Sequence, residues 1–238
     1  GTTIITDSHG DTAAVSYGTS VGADGHDMLF GIHKVIGSAH ADVLIGTDLY
    51  DNWFQGGGGE DTITGGAWTN TLYNRPIDTI SFEDQSQGVT VALSVQTMTG
   101  GDAEDQFSGI EGVDGTKYGD LLIGDGGNNW FMGNGGSDTI IGGGHTQALG
   151  GAYDGVGYTH MASGVTVDLA GGSAVYSGGQ DTLVGINEAE GSQFNDTLIG
   201  TENEANWFQG DLGDDLIAAG SGSKSAATYL DIASYEDA

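Results

Sequence analysis

The chain has 238 residues, enough for one or two domains, and sets 34 acidic residues against four Lys and Arg, a formal net charge of −30. Such a surface repels itself unless counter-cations bind it, and it excludes nucleic acid and membrane insertion as modes of action, because anionic phosphate is repelled and no 18-residue apolar run exists. The absence of cysteine removes disulfides and thiolate metal sites, and 46 glycines without a three-residue period point to tight turns rather than collagen.

In chain order, Asp11 to Tyr17 opens a shortened copy of a unit that recurs further on. Asp27 heads Asp27-Met-Leu-Phe-Gly-Ile32, and 15 residues later Asp42 heads Asp42-Val-Leu-Ile-Gly46. Asn52-Trp53-Phe54 follows, and then Gly56-Gly57-Gly58-Gly59-Glu60-Asp61-Thr62-Ile63-Thr64. Next come a Gly-rich stretch from Gly65 to Ile77, an acidic-aromatic segment from Asp78 to Asp84 and an alternating run from Gly88 to Leu93, which reads as a half-buried strand. The series returns with Asp105, Asp120, Asn129-Trp130-Phe131 and the turn Gly133 to Asp138. It returns again with Asp181, Asp196, Asn206-Trp207-Phe208 and the turn Gly210 to Asp215. The Gly-rich turns at Gly56, Gly133 and Gly210 are 77 residues apart. The units are 1–32 (shortened), 33–109, 110–185 and 186–238 (truncated), read as one continuous solenoid.

Within a unit, Asx-led turns lie about nine residues apart, each followed by x-apolar-x. Nine residues do not fit a helix. They fit a six-residue turn and a three-residue strand, two of which make one coil of a parallel stack. The expected inward residues are Leu44, Phe54, Ile63, Leu122, Phe131, Ile140, Leu198, Phe208 and Leu216. The expected fold class is all-β, a parallel β-roll or β-solenoid with inserted β segments.

Turns on one edge recur every second nonapeptide, which pairs Asp42 with Asp61, Asp120 with Asp138 and Asp196 with Asp215 on adjacent coils. Two buried carboxylates side by side need a cation. Calcium takes six to eight oxygens, which carboxylates and the carbonyls around Gly57, Gly59, Gly136 and Gly213 supply. Zinc would want His or Cys at ligand spacing. Asp27, Asp105 and Asp181 are further candidate ligands, placed on a longer coil. Asn52, Asn129 and Asn206 mark the opposite edge and lack charge. If each Phe of Asn-Trp-Phe points inward, alternation turns Trp53, Trp130 and Trp207 outward, where they suit stacking on sugar rings. No nucleophile sits in a recognisable motif, so no enzyme is expected.

These nonapeptides resemble those of the repeats-in-toxin (RTX) calcium-binding β-roll proteins. The resemblance implies calcium bound between coils by the six paired aspartates and by glycine carbonyls, and export by type I secretion. Thr47-Asp48-Leu49-Tyr50 and Thr201-Glu202-Asn203-Glu204 depart from the Gly-rich turn. A small acidic chain made of such long repeats is also similar to the rhizobial adhering (Rap) proteins, calcium-dependent lectins with Ra, or cadherin-like, domains. That likeness implies an extracellular protein of the cell surface or biofilm matrix, binding acidic bacterial exopolysaccharide. A non-catalytic RTX secretion or folding module is the alternative, and an accessory module of a polysaccharide-modifying enzyme the third.

Overall fold

The structure is a computed structural model that describes residues 2–6, 12–16, 33–46, 51–66, 77–101, 104–144, 153–202, 204–220 and 232–234. Strands β1 (Thr2–Thr6) and β2 (Thr12–Ser16) pair antiparallel as a hairpin. Each nonapeptide beyond them resolves into a turn and a three-residue strand, and alternate strands enter two sheets.

The first sheet holds β3 (Lys34–Ile36), β5 (Trp53–Gln55), β7 (Thr79–Ser81), β11 (Gly112–Asp114), β13 (Trp130–Met132), β15 (Gly155–Gly157), β19 (Glu188–Glu190), β21 (Trp207–Gln209) and β23 (Ile232–Ser234). They lie in chain order and are all parallel. The second sheet holds β4 (Val43–Ile45), β6 (Thr62–Thr64), β8 (Val89–Ala92), β9 (Thr97–Gly100), β10 (Gln106–Ser108), β12 (Leu121–Ile123), β14 (Thr139–Ile141), β16 (Thr166–Asp168), β17 (Ser173–Tyr176), β18 (Gly179–Val184), β20 (Thr197–Ile199) and β22 (Leu216–Ala218). Its spatial order, β22-β20-β16-β17-β18-β14-β12-β8-β9-β10-β6-β4, departs from chain order at two places.

Those two places are the inserted segments. After β7 the chain enters the second sheet as β8, returns antiparallel as β9 and leaves as β10, which pairs parallel with β6. After β15 it does the same with β16, β17 and β18. Three strands thus stand opposite one strand of the first sheet. Large side chains fill the extra interior: Phe82, Leu93, Met98 and Phe107 at the first insert, Tyr158, Leu169 and Tyr176 at the second, all buried.

Elsewhere the middle residue of each three-residue strand points between the sheets, since strand side chains alternate. Phe54, Ile80, Val113, Phe131, Val156, Ala189 and Phe208 line one inner face, and Ile63, Leu122, Ile140 and Leu198 the other. Each such Phe or Ile contributes roughly 1.5–3 kcal/mol of burial, and only a neighbouring coil makes that burial possible. One expected position is corrected. Leu216 is 61% exposed, and Ile217, which pairs with Leu198, is the half-buried inward residue. Asp215 takes the same ladder position as Asp61 and Asp138, so the inward residue is the second after it. No helix among the described residues is long and apolar enough to cross a membrane.

Candidate functional site

Turns leading from the first sheet to the second form one edge of the stack, and every one of the six paired aspartates lies on it. Asp42 N–H donates to Asp61 Oδ1 at 2.8 Å, Asp120 N–H to Asp138 Oδ1 at 2.8 Å, and Asp196 N–H to Asp215 Oδ1 at 2.9 Å. Two of these ladders gain a further rung from the inserts. Asp61 N–H donates to Asp105 Oδ1 at 2.9 Å, and Asp138 N–H to Asp181 Oδ1 at 3.0 Å. The expected longer coil for Asp105 and Asp181 is therefore replaced by the last strand of each meander, which brings them onto the same edge. Asp27 lies outside the described residues.

The opposite edge differs in charge. Asn52 N–H donates to Asp78 Oδ1 at 2.9 Å and Asn129 N–H to Asp154 Oδ1 at 2.9 Å, while Asp154 N–H reaches Asn187 Oδ1 at 3.0 Å. Amide and carboxylate alternate there, so no two carboxylates stack along Asn129, Asp154 and Asn187.

On the carboxylate edge the paired turns are of two chemical kinds. The first turn of each pair has Ser or Thr four residues before its Asp. Ser38, Thr116 and Ser192 each donate a backbone N–H to Oδ2 of Asp42, Asp120 and Asp196 at 2.6 Å. The Thr116 and Ser192 hydroxyls also donate to Oδ1 of Asp120 and Asp196, at 3.0 and 2.8 Å. The second turn has a left-handed residue at that position instead, Gly57 (φ 91°), Asn134 (φ 63°) or Asp211 (φ 61°), and another at Gly59 (φ 112°), Gly136 (φ 110°) or Gly213 (φ 132°). A Cβ at Gly59 would lie 2.5 Å from Ala41 N, so glycine lets the paired turns stack closely.

The second turns leave a charge problem. Asp61 and Asp138 are 1% and 2% exposed, and Oδ2 of each has no hydrogen-bond partner. Burial pushes the Asp61 carboxyl up to about 6, against the lowering bond from Asp42 N–H, with the charges of Asp105 and Asp42 adding to the rise. Burial likewise pushes Asp138 up to about 8, with Asp181 and Asp120 adding repulsion. An unpartnered oxygen on a buried carboxylate is costly, and a hard cation removes that cost. No three Asp, Glu or His side chains converge as a metal cluster among the described residues, so most remaining ligands are turn carbonyls. That donor set, all oxygen with one or two carboxylates, fits calcium. Asp61 and Asp138 would hold the ion directly. Asp42, Asp120 and Asp196 have their Oδ2 engaged by their own turns.

Asp181 meets the same problem differently. It is fully buried, and the hydroxyls of Tyr176 and Tyr158 donate to its Oδ1 and Oδ2 at 2.9 and 3.0 Å. Burial and the Asp181 charge push both phenols up, so they stay protonated donors. Sequence reading missed these caps and also the Ser/Thr of the first turns. The latter were findable, since Gly-Ser/Thr-x-x-x-Asp recurs at Gly37, Gly115 and Gly191.

Trp53, Trp130 and Trp207 occupy the outer face of the first sheet, half-buried, three strands apart. At ~4.8 Å per strand they repeat every ~14 Å. Trp53 Nε1 donates to Asp114 Oδ2 at 2.7 Å, and the Lys34 ammonium lies 3.7 Å over its ring. Trp130 has Gly112 and Gly155 as register neighbours, and its indole runs across β15, whose outward residues Gly155 and Gly157 are both glycine.

Three segments, residues 36–72, 114–144 and 190–223, match the family model for the RTX calcium-binding nonapeptide repeat (4 copies). Each match spans one turn pair, and β8 to β10 and β15 to β18 fall between matches. No curated protein matches the chain. With its nonapeptide turns stacked in register, its parallel strands and its buried carboxylates, the chain carries RTX calcium-binding repeats folded as an all-β parallel β-roll.

Proposed function

We propose that this β-roll is a secreted, calcium-dependent polysaccharide-binding protein of the bacterial cell surface or biofilm matrix. The observation behind the reading is Trp130: a half-buried indole on the outer face of the parallel sheet, packed across the two glycines of β15. Aromatic rings of this kind stack on the apolar faces of sugars. Calcium contributes twice. It orders the coils on which the tryptophans are mounted, and it neutralises a −30 surface that repels acidic glycans. Eroded turns of modest affinity fill where calcium is abundant, outside the cell.

A second reading, a non-catalytic secretion or folding module, is favoured by Trp53. Its ring is covered by Lys34 and its N–H is spent on Asp114, so a tryptophan on this face also serves structure. Tryptophan fluorescence during titration with an acidic bacterial exopolysaccharide, in calcium and then in excess chelator, separates the two. A saturable change that requires calcium is expected. A calcium response with no polysaccharide response in either condition would leave only the folding module.

A further inference from the structure

Beyond the glycan reading, and independently of it, we infer that the outer face of the second sheet is a self-association surface on which a second copy of this chain packs. Charge singles the face out. The chain carries a net charge of −30, and outward positions of the first sheet include Lys34, Asp114, Glu188 and Glu190. Along the twelve strands of the second sheet the outward residues are Thr, Ser, Gln and aliphatic, and Asp168 is the sole charge among them. All of them are exposed or half-buried. Such a face offers no base to an acidic polymer and almost no carboxylate to a cationic one. A partner must bring a flat uncharged surface of its own, and this face is itself such a surface.

Register places the apolar part where a symmetric pair needs it. Ala92, Ile123, Ile141 and Val184 are register partners on β8, β12, β14 and β18, the four central strands of the twelve. Thr90, Leu121, Thr139 and Thr182 form a second row on the same strands. Polar Gln106 and Asp168 stand on β10 and β16, away from the centre. An apolar centre with a polar rim is the anatomy of an interface. A two-fold axis lying in the interface, along the strands and between β12 and β14, sets the aliphatic row of one copy on that of the other. The twelve strands span ~53 Å at ~4.8 Å each, and three residues of strand span ~10 Å. That footprint, about 500 Å² per copy and about 1,000 Å² for the pair, reaches the lower limit of specific interfaces. Both carboxylate edges and both tryptophan sheets stay outside it. A glycan-binding chain paired in this way is bivalent.

The test is sedimentation velocity of the full chain saturated with calcium, over a range of concentrations. A monomer–dimer equilibrium is expected, and it should tighten as sodium chloride rises from ~0.1 to ~0.5 M, because salt screens the like charge of the two copies. Ile141→Glu sets a charge against its two-fold mate and is expected to weaken the dimer about tenfold or more. Thr139→Glu, in the neighbouring row, should act in the same direction and keeps the test open if Ile141→Glu folds poorly. Gln55→Glu adds the same charge to the outer face of the first sheet and should leave the dimer unchanged. A monomer at every concentration overturns the inference. So does equal weakening by Gln55→Glu and Ile141→Glu, which would be diffuse repulsion, and so does a dimer indifferent to both Ile141→Glu and Thr139→Glu. A monomeric wild type whose binding of acidic polysaccharide is lost in Ile141→Glu overturns it in favour of a glycan on this face. Dimerisation as expected in a chain that binds no polysaccharide supports the inference and removes only the glycan reading.

Discussion

Paired aspartates that look alike in sequence differ in what their oxygens touch. Asp120 receives two N–H bonds and one hydroxyl, from Val89 N–H, Thr116 N–H and Thr116 Oγ1. Asp138 receives one backbone N–H on Oδ1 and nothing on Oδ2. Replacing a carboxylate that lacks donors removes a calcium ligand and little else. Asp138→Asn is therefore expected to weaken calcium binding by about tenfold or more, as read by calorimetric titration, while Asp120→Asn weakens it less. Equal losses would show that both turns contact the ion alike. The same burial makes the calcium-free protein respond to pH in an unusual direction. Carboxyls near about 6 at Asp61 and about 8 at Asp138 bind protons in the fold that the unfolded chain, at ~3.9, has released. Folding then takes up protons, so the calcium-free fold is stabilised at low pH and loses that stability as pH rises from about 4 through 6 and 8. In chelator the chain should be more compact by small-angle scattering at pH 5 than at pH 8, and the difference should shrink in Asp138→Asn. Greater compactness at pH 8 would contradict the burial.

At the scale of the strand, the first sheet shows a glycine whose absent side chain is itself a packing requirement. Glycine inside an outward strand position ordinarily costs stability, and a β-branched residue improves it. Gly157→Val should do the reverse, because its Cβ would meet Trp130. The expected result is a lower urea midpoint and a red-shifted tryptophan emission, whereas Gly126→Val, where a Cβ meets nothing within 4 Å, changes neither. Most strands were legible because a nine-residue phase leaves one inward residue per strand. The phase failed at Leu216 and Ile217, where two adjacent apolar residues both suit the pattern and only the count from Asp215 decides between them. The antiparallel returns β9 and β17 were not legible at all. Thr97–Gly100 offers a single apolar residue, Met98, and the return onto β8 is made by the turn Leu93–Gln96, with Gln96 in left-handed conformation, which no hydrophobic period announces. Trp53 and Trp130 were placed outward by alternation alone, but their different surroundings depend on residues from other strands, Lys34 and Asp114 against Gly112 and Gly155, which lie up to 61 positions away in sequence.

For the whole molecule, charge and core oppose each other. A parallel stack buries one apolar side chain per strand, and the same coils bring carboxylates into rows on one edge within a chain of net charge −30. Two remedies are physically distinct. Monovalent salt screens exposed charges, with a Debye length near ~3 Å at 1 M, but it supplies nothing to a buried Oδ2. Calcium does both, and its binding free energy becomes folding free energy when the unfolded chain has no site. Removing calcium should therefore expand the chain, raising the radius of gyration roughly twofold towards the unfolded value. Restoring ionic strength with 1 M sodium chloride should recover only part of the compaction, while millimolar calcium recovers all of it. Small-angle scattering in chelator, in chelator with salt and in calcium separates the terms. Full recovery in salt would mean that long-range repulsion alone unfolds the chain, and the turns would then be screened loops and not coordinated sites. Recovery confined to calcium would tie the fold to Asp61, Asp138 and the glycine turns stacked against them.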